Sequence, residues 1–306
     1  MKWKFRFGAA LGNALEYYDI AVFAAISMYL SAELERLGYS QATEMVWGIF
    51  ALRFLIRPIG GYLIGRYADR VGKKSALILT SFITGTATLC MALLPIQWLG
   101  NHTPIAILII QMALSFSYAG EYPSLITYLI NNTPDNERSR ISSLSGGSSL
   151  LGVVASLGLV LVLESVMTRE MMQSVGWRIP LFLGVINIAV SFWFRAKLPN
   201  EPISSVGYQT INWSRSLHVF LVGTPATATF YVQNVSSSLI VEHLQLGDYK
   251  SIYGMVSASV LLIAMVICSC ITDKYSSSIK VFNIGIWGGS LYLYHSISLC
   301  RVELLN

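Results

Sequence analysis

Apolar residues run in long tracts separated by short polar turns. Crossing about 30 Å of hydrocarbon takes about 20 helical residues at 1.5 Å each. By that measure the pattern predicts nine membrane helices, over residues 8–31, 43–65, 75–95, 104–130, 142–166, 177–195, 217–240, 249–271 and 280–300. The apolar runs do not alternate residue by residue, which argues against a transmembrane barrel. The expected fold class is an all-α membrane protein.

The turns carry the orientation. With the N-terminus cytoplasmic, the inner segments hold Lys2, Lys4, Arg6, Arg66, Arg70, Lys73, Lys74, Arg138, Arg140, Arg195, Lys197, Arg215, Lys274 and Lys280. The outer segments hold only Arg36, Arg169, Lys250 and Arg301. Basic residues collect on the cytoplasmic side of membrane proteins, so this bias places the N-terminus inside. Met1–Gly12 has the basic start of a signal peptide. Glu16 and Asp19 interrupt the apolar run and no small-residue cleavage site follows, so it is read as a retained first helix.

Composition agrees. Charged residues are 12% of the chain, against about 25% in soluble domains, and the mean hydropathy is +0.57. The net charge of +5 and pI near 9.0 arise from those short turns and do not indicate nucleic acid. Cys90, Cys268, Cys270 and Cys300 read as small helix residues, and His102, His218, His243 and His295 lack ligand spacing. No metal, cofactor or nucleophile–base set is expected, which argues against an enzyme.

The longest cytoplasmic turn contains Pro199, Pro202, Ser204, Ser205 and Gly207. It divides the chain into a six-helix bundle over 1–196, a linker over 197–216 and three helices over 217–306. Ala68-Asp69-Arg70 after helix 2 is echoed by Thr272-Asp273-Lys274 after helix 8, the spacing expected of a repeated six-helix unit.

Charged residues inside apolar tracts are costly and mark function. Glu16, Asp19, Arg53, Arg57 and Glu121 are such residues. Asp19, Arg53 and Glu121 fall about 14–18 Å from the inner helix ends. Glu16 and Asp19 share one helix face, as do Arg53 and Arg57. Facing each other, the two sets would neutralise. Burial favours the neutral form of a carboxyl and a nearby guanidinium favours the charged form, so breaking and remaking such a pair would couple protonation to movement. Small residues from Ser145 to Gly158 predict close helix packing, static or sliding. Tyr17, Tyr18, Tyr118, Tyr122 and Tyr128 are candidates to line a cavity and stack on a quaternary ammonium.

The run Arg57-Pro58-Ile59-Gly60-Gly61-Tyr62-Leu63-Ile64-Gly65-Arg66-Tyr67-Ala68-Asp69-Arg70-Val71-Gly72-Lys73-Lys74 resembles the signature loop of the major facilitator superfamily. Gly12-Asn13-Ala14-Leu15-Glu16-Tyr17-Tyr18-Asp19, Ala119-Gly120-Glu121-Tyr122 and Gly176-Trp177-Arg178-Ile179-Pro180 are similar to its metabolite:proton symporters, which include proline/betaine, α-ketoglutarate and shikimate carriers. The resemblance implies two helical bundles rocking about a central site, with Glu16, Asp19, Arg53, Arg57, Glu121 and Tyr122 holding substrate or proton. It implies a gating loop at Gly65, Asp69, Arg70, Gly72 and Lys73. There Asp69 would accept hydrogen bonds from a neighbouring helix N-terminus or pair with an Arg, and Arg70 and Lys73 would bridge to acidic groups.

Three departures stand out. Gln111 occupies a position that is usually Arg, and Leu114 one that is usually Gln. Arg53 occupies a usually small position and would replace the lost charge by pairing with Asp19. The family has twelve helices, and the second signature loop is worn to Asp273-Lys274-Tyr275-Ser276-Ser277. The expected function is proton-coupled symport of an organic acid, amino acid or betaine by a monomer in the bacterial inner membrane. Its partners would be a small-molecule substrate, protons and the lipid bilayer. The alternative is an inactive truncated remnant of such a carrier.

Overall fold

The computed structural model describes residues 3–198, 212–221, 223–224, 250–277 and 279–288, and their regular structure is helical. In chain order the elements are α1 (Trp3–Arg36), α2 (Ala42–Leu52), α3 (Arg57–Val71), α4 (Lys73–Ala92), a one-turn α5 (Ile96–Leu99), α6 (Thr103–Asn131), α7 (Arg138–Val166), a one-turn α8 (Arg169–Met171), α9 (Arg178–Ala196) and α10 (Lys250–Tyr275). Of the seventh and ninth predicted tracts, residues 217–221, 223–224 and 280–288 are helical and the rest lie outside the described residues, as do linker residues 199–211.

Six described segments are long and apolar enough to cross a membrane, with mean hydropathy from 1.3 to 2.4: Ala42–Val71, Lys73–Ala92, Ile96–Asn131, Asp135–Val166, Arg178–Ala196 and Met255–Tyr275. The sides are inverted relative to a soluble protein. Leu55, Phe82, Ile109, Ile186 and Val260 face outward, whereas Glu16, Asp19, Arg53, Glu121 and Arg195 are buried. Hydrocarbon tolerates the first set, and helix-to-helix contact shelters the second. This is a multi-pass membrane protein.

The second tract is not one smooth helix. Arg53–Ile56 tightens into a 3₁₀ turn between α2 and α3. Pro58 is the cause: its ring conflicts with the carbonyl four residues back, that of Phe54, which instead accepts from the Arg57 N–H three residues on. At the far end, Gly72 (φ +106°) makes the turn into α4 in a conformation that side chains resist.

α1 is the central helix, packed along α7 and α9, while α4 lies between α6 and α9. α3 lies on α6, and α10 runs along α7. The small-residue run in α7 serves both neighbours. A methyl at Gly152 would overlap the Ala14 carbonyl and crowd the Tyr18 N–H of α1, while Gly146 and Gly147 face Met265 and Leu262 of α10. Asn13 of α1 fastens the first seam, donating to Ser148 Oγ at 2.8 Å and to the Ser145 carbonyl at 3.1 Å.

Candidate functional site

The intramembrane charges do not pair as their spacing suggested. Glu16 of α1 and Glu121 of α6 converge on Arg195, the penultimate residue of α9. Arg195 Nη1 pairs with Glu16 Oε1, and Nη2 with Glu121 Oε1. Ser81 of α4 adds its hydroxyl, which lies 2.5 Å from Arg195 Nη1 and 3.2 Å from Glu16 Oε1. Exposure is 3% for Glu16, 2% for Glu121 and 1% for Arg195. The charge-bias rule counts Arg195 as one more basic residue of a cytoplasmic turn. Its side chain instead runs back into the bundle from the end of α9.

Asp19 stands apart from this cluster. Its carboxylate abuts Gly184 of α9, where any side chain would overlap Oδ1, with the Thr88 methyl of α4 nearby. It is 3% exposed, and neither oxygen has a hydrogen-bond partner among the described residues. Thr88 Oγ1 is likewise buried without one.

Arg53 does not pair with Asp19, which corrects the expectation of a replaced charge pair. Arg53 Nη1 donates to Gln111 Oε1 at 2.8 Å, and its guanidinium carbon sits 4.0 Å from the Phe50 ring centre. The reason is rotation about the helix axis. Equal depth brought Arg53 level with Asp19, but the 3₁₀ turn aims it at α6 and at a wall of Phe23, Phe50 and Phe54. The positive charge nonetheless ends beside Gln111.

Arg57 lies on the other side of Phe54, 4.2 Å from that ring centre and 4.9 Å from that of Tyr118. Arg57, Phe54 and Pro58 form one wall of an open recess of about 460 Å³, and Tyr118, Ala119, Tyr122 and Pro123 of α6 form the other. Pro123 has no N–H to give the Ala119 carbonyl, so the recess wall includes a backbone acceptor freed from its helix. Tyr17 packs edge-on against both wall tyrosines, its ring centre 5.3 Å from that of Tyr118 and 6.0 Å from that of Tyr122. Of the other tyrosines considered, Tyr18 donates to the Pro180 carbonyl at 3.0 Å and Tyr128 is buried in the packing near Leu77 and Leu129.

In the gating loop it is Asp69 that departs from expectation. Gly65 has open space around it, Arg70 is exposed and Lys73 opens α4. Asp69 is exposed on the last turn of α3 and makes no hydrogen bond or ion pair among the described residues. The helix-terminus contact is made by Asp273, its counterpart in the loop read as worn. Asp273 accepts from the Ser139 N–H at 3.0 Å and the Arg140 N–H at 2.9 Å, with Arg140 Nε 3.5 Å away. An anion is favoured where the first N–H groups of a helix are unmet. The adjacent turn is pinned to α1 by Arg6, 2.5 Å from Glu137.

Residues 5–209 match the sugar (and other) transporter family. A relative from Staphylococcus aureus (strain COL) is 33% identical over 198 residues, 63% of this chain and 42% of its own. The glycine betaine/proline/ectoine/pipecolic acid transporter OusA of Dickeya dadantii and the proline/betaine transporter of Salmonella typhimurium are each 30% identical over 197 residues, 63% of this chain and 39% of theirs. The chain thus spans about two-fifths of the length of these relatives. Among solved structures, the xylose transporter XylE from E. coli in a partially occluded inward-open conformation superposes with a TM-score of 0.62 at 15% identity, over 90% of this chain and 74% of that one. The family match over two-thirds of the chain, the signature stretches around Asp19, Arg57 and Glu121, and the shared fold agree: the chain belongs to the sugar (and other) transporter family and has the fold of the major facilitator superfamily.

Proposed function

We propose that the chain carries out proton-coupled symport of a small metabolite (an organic acid, an amino acid or a betaine) by alternating access. The observation that carries this reading is Asp19. An ionised carboxylate buried without a bond is costly, and a protonated one far less so. A group that takes up a proton when sheltered and gives it up when water or cargo reaches it is what coupling requires.

The recess supplies a matching cargo site. The Arg57 guanidinium offers charge to a carboxylate, and the faces of Tyr118 and Tyr122 offer a surface to an onium group. Their placement supports a cargo carrying one or both of these groups. The distribution of basic residues supports an inner-membrane location with the N-terminus cytoplasmic. In this reading residues 1–196 form the N-terminal bundle, 197–216 the linker, and 217–306 part of the second bundle. The contact of Asp273 of α10 with the N-terminus of α7 then holds the two bundles together at their cytoplasmic ends.

Uptake by proteoliposomes containing the purified chain tests the proposal, with proline, glycine betaine, ectoine, α-ketoglutarate and shikimate presented with and without an inward proton gradient. Accumulation of one of them that follows the gradient and is lost in Asp19→Asn is the expected result. Gradient-driven accumulation that persists undiminished in folded Asp19→Asn would remove Asp19 from the coupling step.

A further inference from the structure

We infer that Glu16 and Glu121 share one exchangeable proton beneath Arg195, making the cluster a proton-holding site separate from Asp19. Charge and geometry carry this. One guanidinium meets two carboxylates, each on its own nitrogen, and all three side chains are almost wholly buried. Arginine does not give up its proton in a protein. With both carboxylates ionised, the cluster would hold a net negative charge inside the bundle, which is strongly disfavoured. One proton on either carboxyl restores neutrality while leaving the other paired with Arg195.

Among the described residues no other charge competes for it. The groups facing the cluster are Glu16 from α1, Ser81 and the Leu77 carbonyl from α4, Glu121 from α6 and Arg195 from α9. Of the nearby charges, Arg6 is engaged by Glu137 and Lys197 lies 3.4 Å from the Trp193 ring centre. Among the described residues no second cation contacts either carboxylate.

Ser81 gives the proton two resting places. Its single hydroxyl hydrogen reaches either Glu16 Oε1 at 3.2 Å or the Leu77 carbonyl at 3.0 Å, not both. With Glu16 ionised, Ser81 donates to it and the proton is on Glu121. With Glu16 protonated, Ser81 turns to Leu77 and Glu121 carries the charge. Water at the bundle end supplies and accepts the proton, and no other bond changes. The proton's role in coupling rests on the transport reading; its presence does not.

Infrared spectroscopy of the purified full chain in lipid tests this directly, in an Asp19→Asn background that removes the buried carboxyl lacking a hydrogen-bond partner among the described residues. A carboxylic-acid carbonyl band present at neutral pH, shifted by deuterium exchange and abolished by adding either Glu16→Gln or Glu121→Gln, is the expected result. Either substitution leaves one carboxylate on one guanidinium, already neutral. An absent band, or one that survives both substitutions, overturns the inference. If Asp19→Asn does not fold, loss of one acid band between the native chain and Glu121→Gln serves the same purpose. A band that behaves as expected in a chain that moves no solute would sink the transport reading and leave the proton site standing.

Discussion

Replacing Arg195 by Gln removes the sole cation contacting Glu16 and Glu121 among the described residues. A second carboxyl must then be neutralised on folding. A glutamate with an ordinary pKa of about 4.3 lies about 2.7 units below pH 7, and each unit is worth about 1.4 kcal/mol, so neutralisation costs about 3.7 kcal/mol. The Arg195 bonds to Ser81 and the Leu77 carbonyl add about 1 kcal/mol. The total, about 4–5 kcal/mol, matches the usual cost of stripping one partner from a buried ion pair. The deficit has a pH signature. The folded variant binds one proton more than the folded native chain does, so its deficit grows as pH rises, by about 1.4 kcal/mol per unit above pH 4.3 or so. Reversible unfolding in mixed detergent micelles at pH 5 and pH 7 measures both effects. The triple replacement Glu16→Gln, Glu121→Gln, Arg195→Gln should recover most of the loss. A single variant within about 1 kcal/mol of the native chain at pH 7, or a deficit that does not shrink on acidification, would refute the reasoning.

Gly152→Ala drives a methyl into the Ala14 carbonyl and should cost about 1–3 kcal/mol by overpacking, read as a lower thermal midpoint in detergent. Arg178 donates to the Ala92 and Leu94 carbonyls at 2.8 Å each, so Arg178→Ala should cost about 1–3 kcal/mol through two unmet acceptors, measured the same way. Asp273→Ala removes two N–H bonds and a partner of Arg140. A thiol placed at Gly146, opposite Met265 in a chain stripped of its own cysteines, should then be labelled several-fold faster. Unchanged labelling would mean that Asp273 does not hold α10 against α7.

How much of this could be read from the residues depends on what each feature requires. Tract length needs only periodicity, so α4, α6, α7 and α9 fall within a few residues of their predicted bounds. Pro58 marks an interruption in the sequence, but whether it kinks the helix or tightens one turn to 3₁₀ depends on the packing around it. Depth along a helix follows from counting, and the depths of Asp19 and Arg53 brought them level. Rotation does not follow from counting, because it is set by packing against helices distant in sequence. Hence Arg53 faces Gln111 and not Asp19. Arg195 was hidden for a related reason. A basic residue closing an apolar tract satisfies the charge-bias rule whether its side chain turns outward or, as here, about a turn back into the bundle. Of the six candidate binding residues, Glu16 and Glu121 come together, Arg57 and Tyr122 share a recess, and Asp19 and Arg53 occupy separate surroundings.

The contact between α3 and α6 sets the character of that recess. Gly60 of α3 lies against the Phe116 backbone of α6, and Gly120 of α6 lies against Ile64 of α3. Each helix therefore seats the other, and neither slides or tilts without driving a side chain into backbone. These same two helices carry the facing walls, with Arg57 and Pro58 on one and Tyr118 and Tyr122 on the other. Their separation is thus a fixed aperture, a gauge rather than a jaw. On the proposed transport reading it admits cargo by size, and any grip that tightens during a cycle has to arrive from a third element.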